Sequence, residues 1–149
     1  VKMGATTIWE HWDGIKPDGT MWSADMNSFN HYAYGAIGDW LYRVAAGLET
    51  DPDAPGYKRI LMHPQPGGGL TYAEAEYMSV YGRTAIKWSI EGSSMVVDVT
   101  IPHNTTAHVT LPGAKPEIVS ADDVIFSACS GGAEAEIGSG TYRFIYPYK

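Results

Sequence analysis

The sequence is poor in cysteine, in basic side chains and in long apolar runs, and each shortage excludes a class of protein. Cys129 is the only cysteine, so no disulfide can form within the chain. Ten Lys and Arg against seventeen Asp and Glu give a net charge of −7. This balance argues against nucleic acid or an anionic membrane as a partner, because phosphate groups bind clusters of basic side chains. No apolar run approaches the roughly 20 residues of a membrane-spanning helix.

The sequence also lacks a metal-binding pattern. The aspartates between residues 13 and 25 are too sparse for a calcium site, and two of them precede glycine, as in turns. No zinc-like spacing links Cys129 with four of the histidines, which are His11, His63, His103 and His108. We therefore expect neither a metal nor a cofactor.

What is present divides into two regions near residue 50. Residues 1–48 hold four of the five tryptophans. Within them, residues 28–48 carry apolar side chains at helical spacing and predict a helix that Asn27 or Ser28 caps and Gly47 ends. Residues 51–56 are rich in Pro, Asp and Gly and predict a linker.

After the linker, the period of the apolar side chains changes from 3.6 to two. Ile86, Trp88 and Ile90 fall on one face of a predicted strand, and turn residues recur at regular intervals. This pattern is typical of a mostly antiparallel β-sandwich. The predicted strands are 59–63, 70–81, 85–91, 95–101, 105–111, 117–120, 124–128 and 141–146.

Two glycines and a tryptophan in the predicted helix indicate tight packing. Gly35 and Gly38 each weaken a helix by ~1 kcal/mol relative to Ala, which suggests the close approach of another helix. Trp40 lies in the middle of the apolar face and is predicted to be core. No partner helix is found in the sequence. We expect the uncovered face to cause self-association or to pack on the chain's own sandwich.

An acidic and aromatic motif stands almost at the first residue. Glu10 is flanked by Trp9 and His11 and followed by Trp12. Such surroundings can hold a carboxylate in a fixed position, although an ordinary surface glutamate fits the spacing as well. Nothing before the motif could support it, and we expect the rest of its site to lie upstream of the 149 residues.

Four blocks in order resemble the C-terminal part of bacterial α-L-rhamnosidases, glycoside hydrolase family 78. They are GATTIWEHWDG (4–14), MNSFNHYAYGAIGDWLYRVAAGL (26–48), PGYKRILMHPQPGGGLTYAEAEYMSVYG (55–82) and IPHNTTAHVTLP (101–112). The resemblance implies that residues 1–50 end an (α/α)6 catalytic barrel, with one long helix plus loops. Residues 51–149 would then be the C-terminal β-sandwich.

The resemblance also implies a chemistry. The family inverts the anomeric centre, and its general base falls on Glu10, while a sugar-contacting histidine falls on His31. Trp9, Trp12 and Trp22 would face the sugar or pack in the barrel wall. The general acid belongs to an earlier part of the barrel, so the chain is expected to be inactive alone. Its partners would be a rhamnosyl glycoside or polysaccharide and the rest of the barrel.

Two other functions fit the same residues. The sandwich could be a non-catalytic carbohydrate-binding module, for which Tyr72, Tyr77, Tyr81 and Trp88 are the available aromatic side chains. Alternatively, the chain could come from an (α/α)6 glycosidase of another sugar specificity, because the blocks do not include the earlier substrate-binding residues.

Overall fold

The structure, a computed structural model, describes residues 4–119 and 123–149. The chain forms two compact units, Val1–Asp39 and Trp40–Lys149. The domain boundary predicted after residue 50 stays a prediction. No helix in the described ranges is long and apolar enough to cross a bilayer.

Two nested chain reversals build the first unit. In the outer one, the Glu10 N–H donates to the Ser28 carbonyl and the His31 N–H donates to the Ile8 carbonyl, both at 2.8 Å. In the inner one, Ile15 and Met21 form an antiparallel bridge. Ser28 and His31 are thus bonded to the first motif through their backbones, and the helical stretch starts only after them.

The helical stretch is shorter and less regular than the helix predicted over 28–48. It consists of a 3-10 turn at Tyr32–Gly35, an α-helix at Ala36–Trp40 (α1) and a π-helical segment at Leu41–Ala46. Gly47 ends it at a φ of 83°, in the left-handed conformation that glycine favours, as predicted. One short α-helix in the described residues does not confirm the predicted end of an (α/α)6 barrel.

The second unit is a two-sheet structure that confirms the predicted, mostly antiparallel β-sandwich. One sheet has the order β1-β2-β6-β8-β7 and the other β3-β4-β5-β9. Neighbouring strands are antiparallel, except that β2 and β6 are parallel. The strands are β1 (Leu48–Thr50), β2 (Arg59–Met62), β3 (Tyr72–Ser79), β4 (Gly82–Glu91), β5 (Ser94–Ile101), β6 (Thr106–Pro112), β7 (Ser127–Cys129), β8 (Gly132–Ile137) and β9 (Gly140–Pro147).

The core lies between the two sheets. The inward faces of β4 and β5 carry the apolar residues that alternate in the sequence, and those of β2 and β6 do the same from the other sheet. Each large apolar side chain that is fully buried contributes about 1.5–3 kcal/mol. Examples are Ile60, Met62, Ile86, Trp88, Val97, Val99, Val109 and Leu111.

Two strand predictions are corrected. Residues 117–119 form no strand, because Pro116 starts a 3-10 turn at Pro116–Ile118, and Ser120 lies outside the described residues. The strand predicted at 124–128 begins only at Ser127. Strands β1 and β8 were not predicted.

The end of the helical stretch is built into the sandwich core. Ala45 and Ala46 are buried, and the Trp88 indole N–H donates to the Ala45 carbonyl at 2.8 Å. A side chain at Gly47 would collide with the backbone of His63 and Pro64. Glycine at this position is therefore required both by its φ and by the close approach of the neighbouring chain.

In the part of the helical stretch that precedes Ala45, large apolar side chains are exposed. Trp40 is 45% exposed, so its predicted place in a core is wrong for this chain. A Cβ at Gly35 or Gly38 would meet open space. The self-association predicted from such exposure stays a prediction.

A row of ion pairs crosses the outer face of the first sheet. The Arg59 guanidinium binds the carboxylates of Asp51 and Glu136, and the Glu136 carboxylate also contacts His108 Nδ1 at 2.9 Å. The Asp53 N–H and Arg59 lower the pKa of the Asp51 carboxyl. Burial raises the pKa of Glu136, but the hydrogen bonds of Arg59 and His108 outweigh it, so that this pKa is lowered as well.

Candidate functional site

Glu10 is a half-buried carboxylate attached at both its backbone and its side chain. Its Oε2 accepts a hydrogen bond from the Ser28 N–H at 3.1 Å, and its own N–H donates to the Ser28 carbonyl. A charged acceptor on a backbone N–H is a strong hydrogen bond that fixes the orientation of the carboxylate. In the described residues no donor is assigned to Oε1, so one oxygen is held and the other is available to a water molecule.

His31 belongs to the segment whose backbone bonds to residues 8–10. Its N–H bonds to Ile8, two residues before Glu10, and its ring lies near those of Tyr32 and Tyr34, with centroids at 6.3 and 5.8 Å. The two motifs that are separated in sequence are thus adjacent in the structure. Glu10 and His31 are the two predicted residues that this pairing brings together.

The three predicted sugar-facing tryptophans have different surroundings. Trp9 is partly buried and packs edge-on against Phe29, with ring centroids 5.0 Å apart. Trp22 is half-exposed and stacks on His11 at 4.0 Å. Trp12 is 98% exposed. Trp9 is therefore part of the local packing, whereas Trp12 and Trp22 present aromatic surface.

A hydrogen bond between Gly14 and Asn27 closes the inner chain reversal that follows Glu10. The Asn27 Nδ2 donates to the Gly14 carbonyl at 2.9 Å, which joins the start and the end of the inner reversal. A Cβ at Gly14 would lie 2.9 Å from the Asn27 Oδ1 and 3.3 Å from the Phe29 ring. The buried Asn27 Oδ1 has no hydrogen-bond partner in the described residues. Asn27 is thus a brace between loops and not the helix cap that the sequence suggests.

Asp13 and Asp18 lie in turns, as the glycine that follows each of them indicates. The Thr20 hydroxyl and N–H both donate to Asp18 and lower the pKa of its carboxyl. The Ser23 hydroxyl accepts from the N–H groups of Asp25 and Met26. In residues 4–119 and 123–149, no group of three or more His, Cys, Asp or Glu side chains could hold a metal ion.

Two contacts of Glu10 were not found by reasoning from the sequence. Ser28 was considered as a helix cap, yet it binds the carboxylate of Glu10 through its backbone. The Tyr34 hydroxyl donates to the Glu10 carbonyl at 3.4 Å. Backbone donors have no sequence signal, whereas the tyrosine-rich run around His31 was a signal that could have indicated Tyr34.

The sandwich aromatics considered for carbohydrate binding are only partly available. Trp88 is fully buried in the core, so its proposed role as a surface platform is wrong. Tyr77 stacks on Tyr57 at 4.9 Å, and the Lys58 ammonium lies 5.2 Å from the Tyr81 ring centroid. Tyr72 is 65% exposed.

Two family models match the chain in succession. The model described as the bacterial alpha-L-rhamnosidase 6 hairpin glycosidase domain matches residues 1–45. The model described as the bacterial alpha-L-rhamnosidase C-terminal domain matches residues 47–126.

Curated relatives carry the same name. The alpha-L-rhamnosidase of Streptomyces avermitilis is 40% identical over 145 residues, which cover 97% of this chain and 14% of that protein. An alpha-L-rhamnosidase of Formosa agariphila is 39% identical over 127 residues, with 85% and 14% covered. The chain therefore spans about 14% of the length of these relatives.

Solved structures show the same likeness. The crystal structure of the Streptomyces avermitilis alpha-L-rhamnosidase complexed with L-rhamnose matches with a TM-score of 0.83 and 40% identity, covering 97% of this chain and 14% of that one. The alpha-L-rhamnosidase from Dictyoglumus thermophilum matches with a TM-score of 0.80 and 29% identity, covering 98% and 16%.

Proposed function

The chain belongs to the family of bacterial alpha-L-rhamnosidases, and on this premise we propose that it forms part of an enzyme that hydrolyses terminal α-L-rhamnosyl linkages. Residues 1–50 supply one strip of the active site, at the end of an (α/α)6 barrel. Residues 51–149 form the C-terminal sandwich. The substrate is a rhamnosyl glycoside or polysaccharide, and no cofactor takes part.

The proposed reaction inverts the anomeric centre. Inversion needs one carboxylic acid that protonates the leaving oxygen and one carboxylate that removes a proton from the attacking water, roughly 6.5–9.5 Å apart. Glu10 is the proposed base. The acid comes from another part of the barrel, as the resemblance to the family implies. Asp13, Asp18 and Asp25, the other acids of residues 4–31, are exposed.

The observation that supports this role most directly is the bond from the Ser28 N–H to Glu10 Oε2. A general base must be ionised and must point at its water. The Ser28 N–H restricts the rotation of the carboxylate, while Oε1 is left to accept the proton. The Tyr34 hydroxyl and the Ser28 carbonyl fix the backbone from which the side chain extends.

The neighbouring side chains would hold the sugar. His31 can donate from its ring to a hydroxyl group, since imidazole carries a donor in either tautomer. The exposed faces of Trp12 and Trp22 can cover the apolar C–H face of a pyranose. Trp9, the residue before Glu10, is held by its packing on Phe29.

Replacement of the carboxylate tests the proposal. In the intact enzyme that contains this chain, Glu10→Gln is expected to lower kcat on an aryl α-L-rhamnoside by about 10²–10⁴-fold, because the amide cannot accept the proton. The Ser28 N–H still has an oxygen acceptor in the variant, so folding should be unchanged. The anomer first released by the unmodified enzyme, observed by NMR, should be the inverted one.

The matched control is Glu117→Gln, an exposed glutamate on the 3-10 turn at Pro116–Ile118. It should keep the full rate. Full activity of Glu10→Gln would remove Glu10 from the role of base, and release of the retained anomer would remove the inverting mechanism. The 149-residue chain alone should show no measurable turnover, because it lacks the proposed acid.

A further inference from the structure

We propose that the outer face of β3, β4 and β5 is a second carbohydrate-binding site, which takes a neutral pyranose ring. A concave region of about 640 Å³ lies on this face. We call it the outer groove, and it is lined by Tyr42, Glu74, Glu76, Arg83, Lys87, Asp98 and neighbouring backbone. The site belongs to the sandwich unit and does not depend on Glu10.

Three of the charged groups in the outer groove, Glu74, Lys87 and Asp98, come from one register of the sheet, which Arg143 continues beyond the groove. Glu74, Lys87, Asp98 and Arg143 are successive cross-strand partners on β3, β4, β5 and β9. Their charges alternate across the sheet. Arg143 contacts Asp98 at 3.5 Å, whereas in the described residues no hydrogen bond or ion pair is assigned to the Lys87 ammonium or the Glu74 carboxylate. Lys87 thus stands between two carboxylates with its donors available.

One wall of the outer groove is aromatic and fixed in place. The Tyr42 hydroxyl donates to the Glu76 carbonyl at 3.3 Å, and 43% of the residue remains exposed. Arg83 holds the Glu76 carboxylate through its Nε at 2.9 Å and through a second nitrogen at 2.7 Å. These contacts orient the wall without using Glu74, Lys87 or Asp98.

This combination of groups matches a neutral sugar better than other ligands. Vicinal hydroxyls both donate and accept, so they can bind a carboxylate and an ammonium together. The C–H face of the ring can pack on Tyr42. An anionic ligand would meet three carboxylates against two basic groups, and an apolar ligand would leave the charged lining without hydration.

The stability of the sandwich does not explain why charged side chains line the outer groove. Exposed charged side chains contribute little to stability, so the fold gains little from Glu74, Lys87 and Asp98. The outer groove shares with small-molecule sites its concave shape, an aromatic side chain and a few available donors and acceptors.

The test is an NMR titration of the ¹⁵N-labelled 149-residue chain with methyl α-L-rhamnopyranoside. Saturable shifts are expected for the amides of Glu74, Lys87 and Asp98, with a Kd in the millimolar range. Lys87→Met and Tyr42→Leu should each weaken binding by about tenfold or more. Both side chains are exposed on the surface, so neither change should unfold the sandwich.

Three further titrations test whether binding is specific to the outer groove and to a neutral sugar. Lys115→Met, at an exposed lysine outside the groove, should bind as the unmodified chain does. Glu10→Gln should also bind normally in the groove, which separates this site from the proposed catalytic one. Absence of saturable shifts in the groove, equal affinity of Lys87→Met, or tighter binding of sodium D-galacturonate would each overturn the proposal.

Discussion

The two units differ most in what they bury. In residues 4–39 no apolar side chain is buried, although the segment contains three tryptophans, and every buried apolar residue lies between Ala45 and Tyr146. Trp12 is 98% exposed and Trp88 is fully buried. A high aromatic content is therefore not sufficient for a core. The second unit has a buried apolar core, whereas in the first unit Trp12 and Trp22 present exposed aromatic surface.

The largest expected effect is at Trp88. Trp88→Ala should lower the free energy of unfolding of the sandwich by about 3–5 kcal/mol, because it leaves a cavity between the sheets and removes the donor to Ala45. Denaturant unfolding followed by circular dichroism measures this change. A loss below about 1 kcal/mol would mean that the core does not depend on Trp88.

Trp12→Ala is the matched change in the first unit. An exposed side chain with no packing partner should alter the unfolding free energy by no more than about 0.5 kcal/mol. A loss as large as that of Trp88→Ala would show that Trp12 is buried in solution, for instance by self-association.

Glycines provide a second contrast. Gly47→Ala should destabilise the chain by roughly 2–4 kcal/mol, since alanine is strained at a φ of 83° and its Cβ would collide with the Pro64 backbone. The thermal midpoint, compared at one protein concentration, reports the change. An unaltered midpoint would contradict the close approach of residues 47 and 64.

Gly38→Ala is the control in the helical stretch. Its Cβ would meet open space, and alanine favours a helix, so the isolated chain should gain about 0.5–1 kcal/mol. In the intact enzyme the same change should be destabilising, if another helix packs at Gly38 as the sequence predicts. The same sign in both proteins would count against that packing.

The smallest expected effect concerns pH. Because the pKa of Asp51 is lowered in the folded chain, its contribution is present above the ordinary carboxyl pKa of about 4 and is lost as the pH falls through the lower folded value. Asp51→Asn should therefore flatten the acid limb of the stability profile. Asp53→Asn, at an exposed neighbour, should leave that limb unchanged. Identical profiles of both variants would contradict the lowered pKa of the Asp51 carboxyl.

The sandwich was largely predictable because its strands follow a period of two. Val97, Val99 and Ile101 are buried as their alternation indicates. Strand β8 was missed because its inward residues Ala133 and Ala135 are small and give a weak apolar signal. Strand β1 was missed because Leu48 also continues the helical spacing before it.

The candidate site was less accessible to sequence reasoning. Glu10 and His31 were identified through a resemblance, but their adjacency depends on backbone hydrogen bonds between residues 8–10 and 28–31. Backbone pairing between two irregular segments leaves no periodic pattern in the side chains. For the same reason the helix was predicted to begin four residues too early, at 28 rather than 32.

The bond between the Trp88 indole and the Ala45 carbonyl limits how this chain could recombine during evolution. Genetic recombination at the linker after residue 50 would join the sandwich to residues 45–47 of a different protein. The new neighbour would have to supply small residues at 45 and 46 and a glycine at 47, or a buried indole would lose its acceptor at a cost of about 1–3 kcal/mol. The final helical turn is therefore expected to be inherited together with the sandwich, as one module that begins near residue 41.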